Sequence, residues 1–184
     1  IPELPDDKKK RFIDEFKVSP YEATILVSDI ETAKYFEEVV AKMGKNQDIK
    51  LAVNWITGEL FAVLNNKNLE ITQSPISAKN LAKLINLIKN GTISGKIAKT
   101  IFELMMDGDK DPQIIVEEKG LKQESDPKAL EALIDKIIDD NREKAIEYKN
   151  GKEKLFGFFV GQAMKVSGGK ANPQLINEIL KKKL

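Results

Sequence analysis

The sequence contains no cysteine and no histidine, one tryptophan, and only 7% aromatic residues. Without cysteine there can be no disulfide and no thiolate zinc centre. Without histidine or cysteine there is no imidazole or thiol to serve in catalysis. Any chemistry would fall to Ser, Thr, Lys or carboxylates. No apolar run approaches the roughly 20 residues needed to cross a bilayer. No signal peptide precedes the charged opening. These absences fit a cytoplasmic protein with no membrane association. The chain opens on Ile1 rather than methionine, and Ile1-Pro2-Glu3-Leu4-Pro5 reads as the interior of a longer protein.

What is present is 41% hydrophobic and 32% charged, enough to bury a core and stay soluble. The formal net charge of +1 hides an asymmetry. Residues 142–184 hold ten Lys/Arg against four Asp/Glu, whereas residues 1–141 hold twenty against twenty-five. A cationic end attracts polyanions at long range, although a solvated charged surface has the same composition.

Nearly every segment carries helical periodicity. Ser19-Pro20, Ser74-Pro75, Asp111-Pro112, Asp126-Pro127 and Asn172-Pro173 each pair a polar residue with a following proline. That is the pattern of an N-cap and a first helical position. The periodicity predicts helices over 6–16, 20–27, 28–43 (Ser28 and Glu31 forming a capping box), 47–65, 77–90 and 95–106. Further helices are predicted over 112–118, 127–140, 142–149, 152–166 and 173–183. In the 47–65 helix, Leu51, Trp55, Ile56 and Val63 point inward. Leu69-Glu70-Ile71-Thr72 is the one extended candidate. The expected fold class is all-α, two small helical domains built from short helices. Asp107–Asp111 is read as the linker, giving a helical middle domain over 1–107 and a tail domain over 108–184.

Sites with independent chemistry are hard to find. Asp107-Gly108-Asp109-Lys110-Asp111 lacks the internal glycine position and terminal glutamate of a calcium loop. Glu117-Glu118 and Asp139-Asp140 are adjacent acids, which diverge on a helix. Gly168-Gly169-Lys170 lacks the spacing of a phosphate-binding loop. No catalytic residue and no metal ligand is assigned, and no cofactor is expected within this segment.

The 152–166 helix is different. At 100° per residue, Leu155, Phe156, Phe159, Val160, Ala163 and Val166 form an apolar arc. Gly157 and Gly161 fall opposite, one turn apart, although each glycine costs a helix roughly 1 kcal/mol relative to alanine. Lys154 and Lys165 bracket them, ~16 Å apart along the axis. The following loop offers amides at Gly168 and Gly169, the ammonium of Lys170, and the helix start at Asn172. A bare backbone strip edged by cations suits a sugar–phosphate backbone; it suits a neighbouring helix equally well. With no aromatic set out for base stacking, shape and phosphate recognition of folded RNA fits better than reading of a single strand. Lys96 and Lys99 are weaker candidates on the polar side of the Ile97/Ile101 helix. Gly91 reads as a helix C-cap and Gly95 as a tight helix start, Trp55 as core, and Lys181-Lys182-Lys183 as solvated charge at a helix end.

Four stretches in order carry a family resemblance: Asn54-Trp55-Ile56-Thr57-Gly58-Glu59-Leu60; Gly91-Thr92-Ile93-Ser94-Gly95-Lys96-Ile97-Ala98-Lys99; Val116-Glu117-Glu118-Lys119-Gly120-Leu121; and Gly161-Gln162-Ala163-Met164-Lys165 with Gly168-Gly169-Lys170-Ala171-Asn172-Pro173. Together they resemble the C-terminal half of the B-subunit family of glutamyl/aspartyl-tRNA amidotransferases, with its YqeY-like tail, over essentially the whole chain. The resemblance implies a ligase that makes Gln-tRNA(Gln) or Asn-tRNA(Asn) from misacylated tRNA. It would use ATP and magnesium in the full-length enzyme, in complex with subunits A and C. It implies that catalysis lies in an N-terminal cradle absent from this sequence, and that this segment contacts tRNA. The residues matching the family motifs are Lys154, Gly157, Gly161, Lys165, Gly168, Gly169, Lys170 and Asn172. Two alternatives stay open: a helical module docking another subunit without RNA, and a free-standing YqeY-like protein.

Overall fold

A computed structural model describes residues 3–45 and 47–184. Ile1 and Pro2, on which the reading of an interior start rests, lie outside the described residues. The fold is all-α, and among the described residues no strand occurs; Glu124 and Ala171 form an isolated bridge.

The chain divides into two compact units, Ile1–Asn90 with Ile101–Ile115, and Gly91–Thr100 with Val116–Leu184. The first contains α1 (Pro5–Phe16), α2 (Pro20–Leu26), α3 (Ile30–Met43), α4 (Ile49–Asn54), a π-helical stretch (Trp55–Leu60), α5 (Phe61–Lys67), a 3-10 turn (Ile71–Gln73) and α6 (Ala78–Lys89). Helices α7 (Gly95–Met105) and α8 (Pro112–Glu118) each contribute residues to both units. The second unit is completed by α9 (Pro127–Asp140), α10 (Arg142–Lys149), α11 (Leu155–Val166) and α12 (Pro173–Lys183).

In the first unit α3 packs along α6. Phe36, Val39, Val40 and Met43 of α3 are buried, as are Leu81, Leu84 and Ile85 of α6. Phe36 also meets Phe12 and Phe16 of α1 with ring centroids 5.2 Å from each. Trp55 is core, 5.5 Å from the Phe102 ring. Arg11 grips Glu3 with two hydrogen bonds of 2.7 Å and also reaches Glu37, tying α1 to α3.

Local expectations fail where backbone geometry departs from the regular helix. Leu60 and Leu64 are buried while Val63 is only half-buried. The π stretch explains this: an i→i+5 turn inserts one residue per turn and carries the buried face forward by one position. The cap of α3 is Asp29, which accepts the Thr32 N–H at 2.8 Å, and not Ser28. The extended candidate at 69–72 instead enters the 3-10 turn, with Ile71 buried. The Asp107–Asp111 stretch is bonded into the first unit. Asp109 accepts the Ser77 N–H at 2.9 Å, and its carbonyl accepts the Asn80 amide at 2.7 Å. Lys83 pairs with Asp111.

The second unit is built around α9, α11 and α12. Leu130, Ile134 and Ile137 of α9 meet Phe159 and Ala163 of α11 and Ile176, Ile179 and Leu180 of α12. Backbone hydrogen bonds stitch distant segments to this bundle. The Gln123 N–H donates to the Thr92 carbonyl, the Glu124 N–H to the Lys170 carbonyl, and the Asn172 N–H to the Glu124 carbonyl. The loop after α11 is thereby fixed from two sides.

Candidate nucleic-acid interface

Helix α11 exposes a side-chain-free strip. Phe159 and Ala163 are fully buried, which sets the helix's orientation, and Gly157 and Gly161 consequently face outward and are exposed. A Cβ placed on either glycine would meet nothing within 4 Å. Among the described residues no helix is seated on the strip. The apolar arc is narrower than periodicity suggests: Leu155, Phe156 and Val160 are half-buried, and Val166 is 60% exposed. Val166 is the last residue of α11.

Lys154 is the N-cap residue of α11, the helix starting at Leu155 rather than 152, and Lys165 sits in the last turn. Both are exposed, and Lys170 is half-buried. Among the described residues none of these three ammonium groups has a carboxylate partner, whereas nearby Lys152 is paired with Glu147 at 3.0 Å. A lysine without an internal counter-ion is free to meet a phosphate from outside.

The loop corrects one expectation. Its amides are not offered outward. The Gly169 N–H donates to the Met164 carbonyl at 2.8 Å and the Gly168 N–H to the Lys165 carbonyl at 3.1 Å. This is the paired closure of a helix C-terminus in which a left-handed residue turns the chain back onto the last carbonyls. Gly168, at φ 62°, supplies that residue, and Gly169 follows at φ 81°. The Lys170 N–H donates to the Ser167 carbonyl, and the Ala171 N–H to Ser167 Oγ at 3.2 Å. The next helix start is likewise closed. Asn172 Oδ1 accepts the N–H groups of Gln174 and Leu175, and its side-chain amide donates to Ser125 Oγ at 3.4 Å. Gly168, Gly169 and Asn172 therefore shape the loop, while Lys154, Lys165, Lys170 and the bare strip face solvent.

Lys96 joins this loop across a long stretch of sequence. Gly169 is buried, and a Cβ placed on it would stand 3.4 Å from Lys96 Cδ and 3.9 Å from its Nζ. Buried Ser94 fixes the approach: its hydroxyl donates to the Gly169 carbonyl at 3.3 Å and accepts the Ile97 N–H at 3.2 Å. Lys96 is exposed and has no carboxylate partner among the described residues. Lys99 is also exposed but is already engaged within the chain. One further cation was not evident from spacing: Lys144 Nζ lies 4.0 Å from the Phe158 ring centroid, a contact between α10 and α11 that no motif announces.

The charge follows this geometry. The second unit carries sixteen Lys/Arg and twelve Asp/Glu, and the first fourteen and seventeen. No three acidic side chains among the described residues come together as a metal cluster. The only Gly-Gly-Lys loop spends its amides internally. One exposed aromatic does occur, Tyr21 on α2 of the first unit.

A family model described as the GatB domain matches residues 34–184. The whole chain is 95% identical to the B subunit of the aspartyl/glutamyl-tRNA(Asn/Gln) amidotransferase of Pelagibacter ubique, of which it covers 37%. It is 49% identical over 187 residues to the protein of the same name from Zymomonas mobilis, covering 38% of it. It is 50% identical to that of Thioalkalivibrio sulfidiphilus, again covering 38%. The chain thus spans well under half the length of the curated relatives it matches.

Proposed function

The chain belongs to the GatB domain family, and on that premise we propose that it is the tRNA-holding region of the B subunit in an aspartyl/glutamyl-tRNA amidotransferase. The observation that carries this reading is the open strip of α11, with Gly157 and Gly161 unobstructed and Lys154, Lys165 and Lys170 lacking internal counter-ions among the described residues. A strip without side chains lets a phosphodiester backbone approach closely, and ammonium groups at its edges neutralise it. Contacts of this kind hold RNA by shape and charge and leave base identity unread. The amidation of misacylated tRNA, with ATP, magnesium and subunits A and C, belongs in this proposal to the rest of the enzyme. Holding the tRNA body raises the effective concentration of its acceptor end at that distant chemistry.

A gel shift of this chain with total tRNA at low and at moderate salt tests the proposal. Binding should weaken as salt rises, because phosphate contacts release condensed counter-ions. Replacing Lys154, Lys165 and Lys170 together with alanine should reduce both the affinity and the slope of its salt dependence. A folded triple variant that binds tRNA as tightly as the parent would refute the assignment.

A further inference from the structure

Two clefts of the first unit run into one another along α3. One, of about 730 Å³, is lined by Asp29, Ile30, Glu31, Glu70, Ile71 and Thr72. The other, of about 360 Å³, shares Glu31, Ile71 and Thr72 and continues past Lys34, Tyr35 and Glu38 to Ile76. They form one groove between α3 and the 70–78 segment. Its wall on α3 presents Glu31, Tyr35 and Glu38, spaced four and three residues apart and hence on one face. The 70–78 wall is held rigidly. Tyr35 Oη donates to the Ile76 carbonyl at 2.8 Å, and Ser74 Oγ donates to the same carbonyl at 2.7 Å.

The chemistry of the groove is amphipathic. Ile30 is 63% exposed at the first position of α3, beside the edge of Ile71. Four carboxylates line the groove; Asp29 is spent on the Thr32 N–H and hydroxyl at the cap of α3, Glu31 engages the single ammonium of Lys34 at 2.7 Å, and Glu38 and Glu70 complete the set. Such a groove repels phosphates, so nucleic acid does not fit it. From residue 29 to residue 38 it extends ~14 Å at 1.5 Å per residue, the length of two to three helical turns.

We propose that this groove docks a short amphipathic helix of a protein partner, its apolar stripe on Ile30 and its lysines or arginines against Glu31, Glu38 and Glu70. Charge complementarity selects the occupant, as the groove keeps an excess of negative charge that a basic helix offsets and an acidic or uncharged one does not. The groove belongs to the unit with excess acid, and the RNA-facing strip to the unit with excess base. The two surfaces therefore admit partners of opposite charge. This inference stands independently of the tRNA reading.

The test uses the 184-residue chain and a fluorescein-labelled helical peptide of about four turns with Leu at i, i+4 and i+7 and Lys on the flanking positions. Fluorescence anisotropy reads its binding, with a scrambled peptide of equal composition as control. The designed peptide should bind more tightly than the scrambled one. Ile30→Gln, at an exposed position that tolerates a polar side chain, should weaken binding roughly tenfold through lost apolar burial. The double change Glu31→Gln and Glu38→Gln should weaken it about threefold at low salt, and little at high salt. Binding of tRNA, measured in parallel, should be unchanged in all these variants. Equal binding of the scrambled peptide, no effect of Ile30→Gln, or a loss of tRNA binding in the same variants would each overturn the proposal.

Discussion

The side chain of Lys96 lies across Gly169, with 3.4 Å between Lys96 Cδ and the place a glycine Cβ would occupy. The aliphatic stem rests on bare backbone, and the ammonium is left beside the loop that carries Lys170. Lys96→Met keeps the stem and removes the charge. It should leave the melting temperature unchanged while lowering tRNA affinity and the salt slope. Gly169→Ala should act differently. At φ 81° a Cβ costs about 1–2 kcal/mol, so this variant should melt lower whatever its effect on RNA. Thermal melts and gel shifts on the two variants separate the roles.

The open glycines yield an opposite pair of expectations. Gly157 and Gly161 have helical φ and empty space around them. Gly161→Ala should therefore stabilise the chain by about 1 kcal/mol, as an exposed helix interior prefers alanine. Gly161→Leu should fold equally well yet bind tRNA less tightly, because its side chain occupies the strip. If the leucine variant folds and binds like the parent, close approach at this position plays no part.

These features differ in how far the amino-acid order alone reveals them. The caps at Ser19, Ser77, Asp126 and Asn172 were legible because capping is a contact between residues two or three apart. The outward placement of Gly157 and Gly161 was legible because Phe159 and Ala163 impose it through helical period. The register of Leu60 and Leu64 was not, since a π turn leaves no compositional mark and shifts every later position by one. Nor was the closure of the 168–169 amides onto Met164 and Lys165. A Gly-Gly pair after a helix allows either an open, anion-binding turn or a C-terminal closure, and only the backbone path decides. The meeting of Lys96 with Gly169 is tertiary and has no local signal.

Asp109 offers a stability test in the first unit. It is a non-glycine residue at φ 51°, its carboxylate accepts the Ser77 N–H, and its carbonyl accepts the Asn80 amide. Asp109→Ala removes the acceptor and keeps a left-handed backbone that alanine tolerates poorly. The expected loss is about 2–3 kcal/mol, combining an orphaned, partly buried N–H with the conformational cost. Asp109→Asn retains an acceptor oxygen and the asparagine preference for this conformation, and should lose far less. Denaturant titration of the two variants checks the ordering.

Glu22 couples stability to acid. The Lys50 ammonium, the Ser19 backbone N–H and the Ser19 hydroxyl together hold its carboxyl down from the usual 4.5 to about 2. A carboxylate whose folded value is depressed binds protons more readily when unfolded. Its stabilising contribution is therefore complete above the unfolded value of 4.5, and it drains away as pH falls through that value toward 2. Glu22→Gln removes the titrating group and its ion pair with Lys50. The variant should be less stable than the parent at neutral pH, and the gap should narrow progressively on acidification across that window. Melting temperatures of both proteins along the series measure it; a gap that stays constant down to the lower limit would show that Glu22 is not what the fold loses in acid.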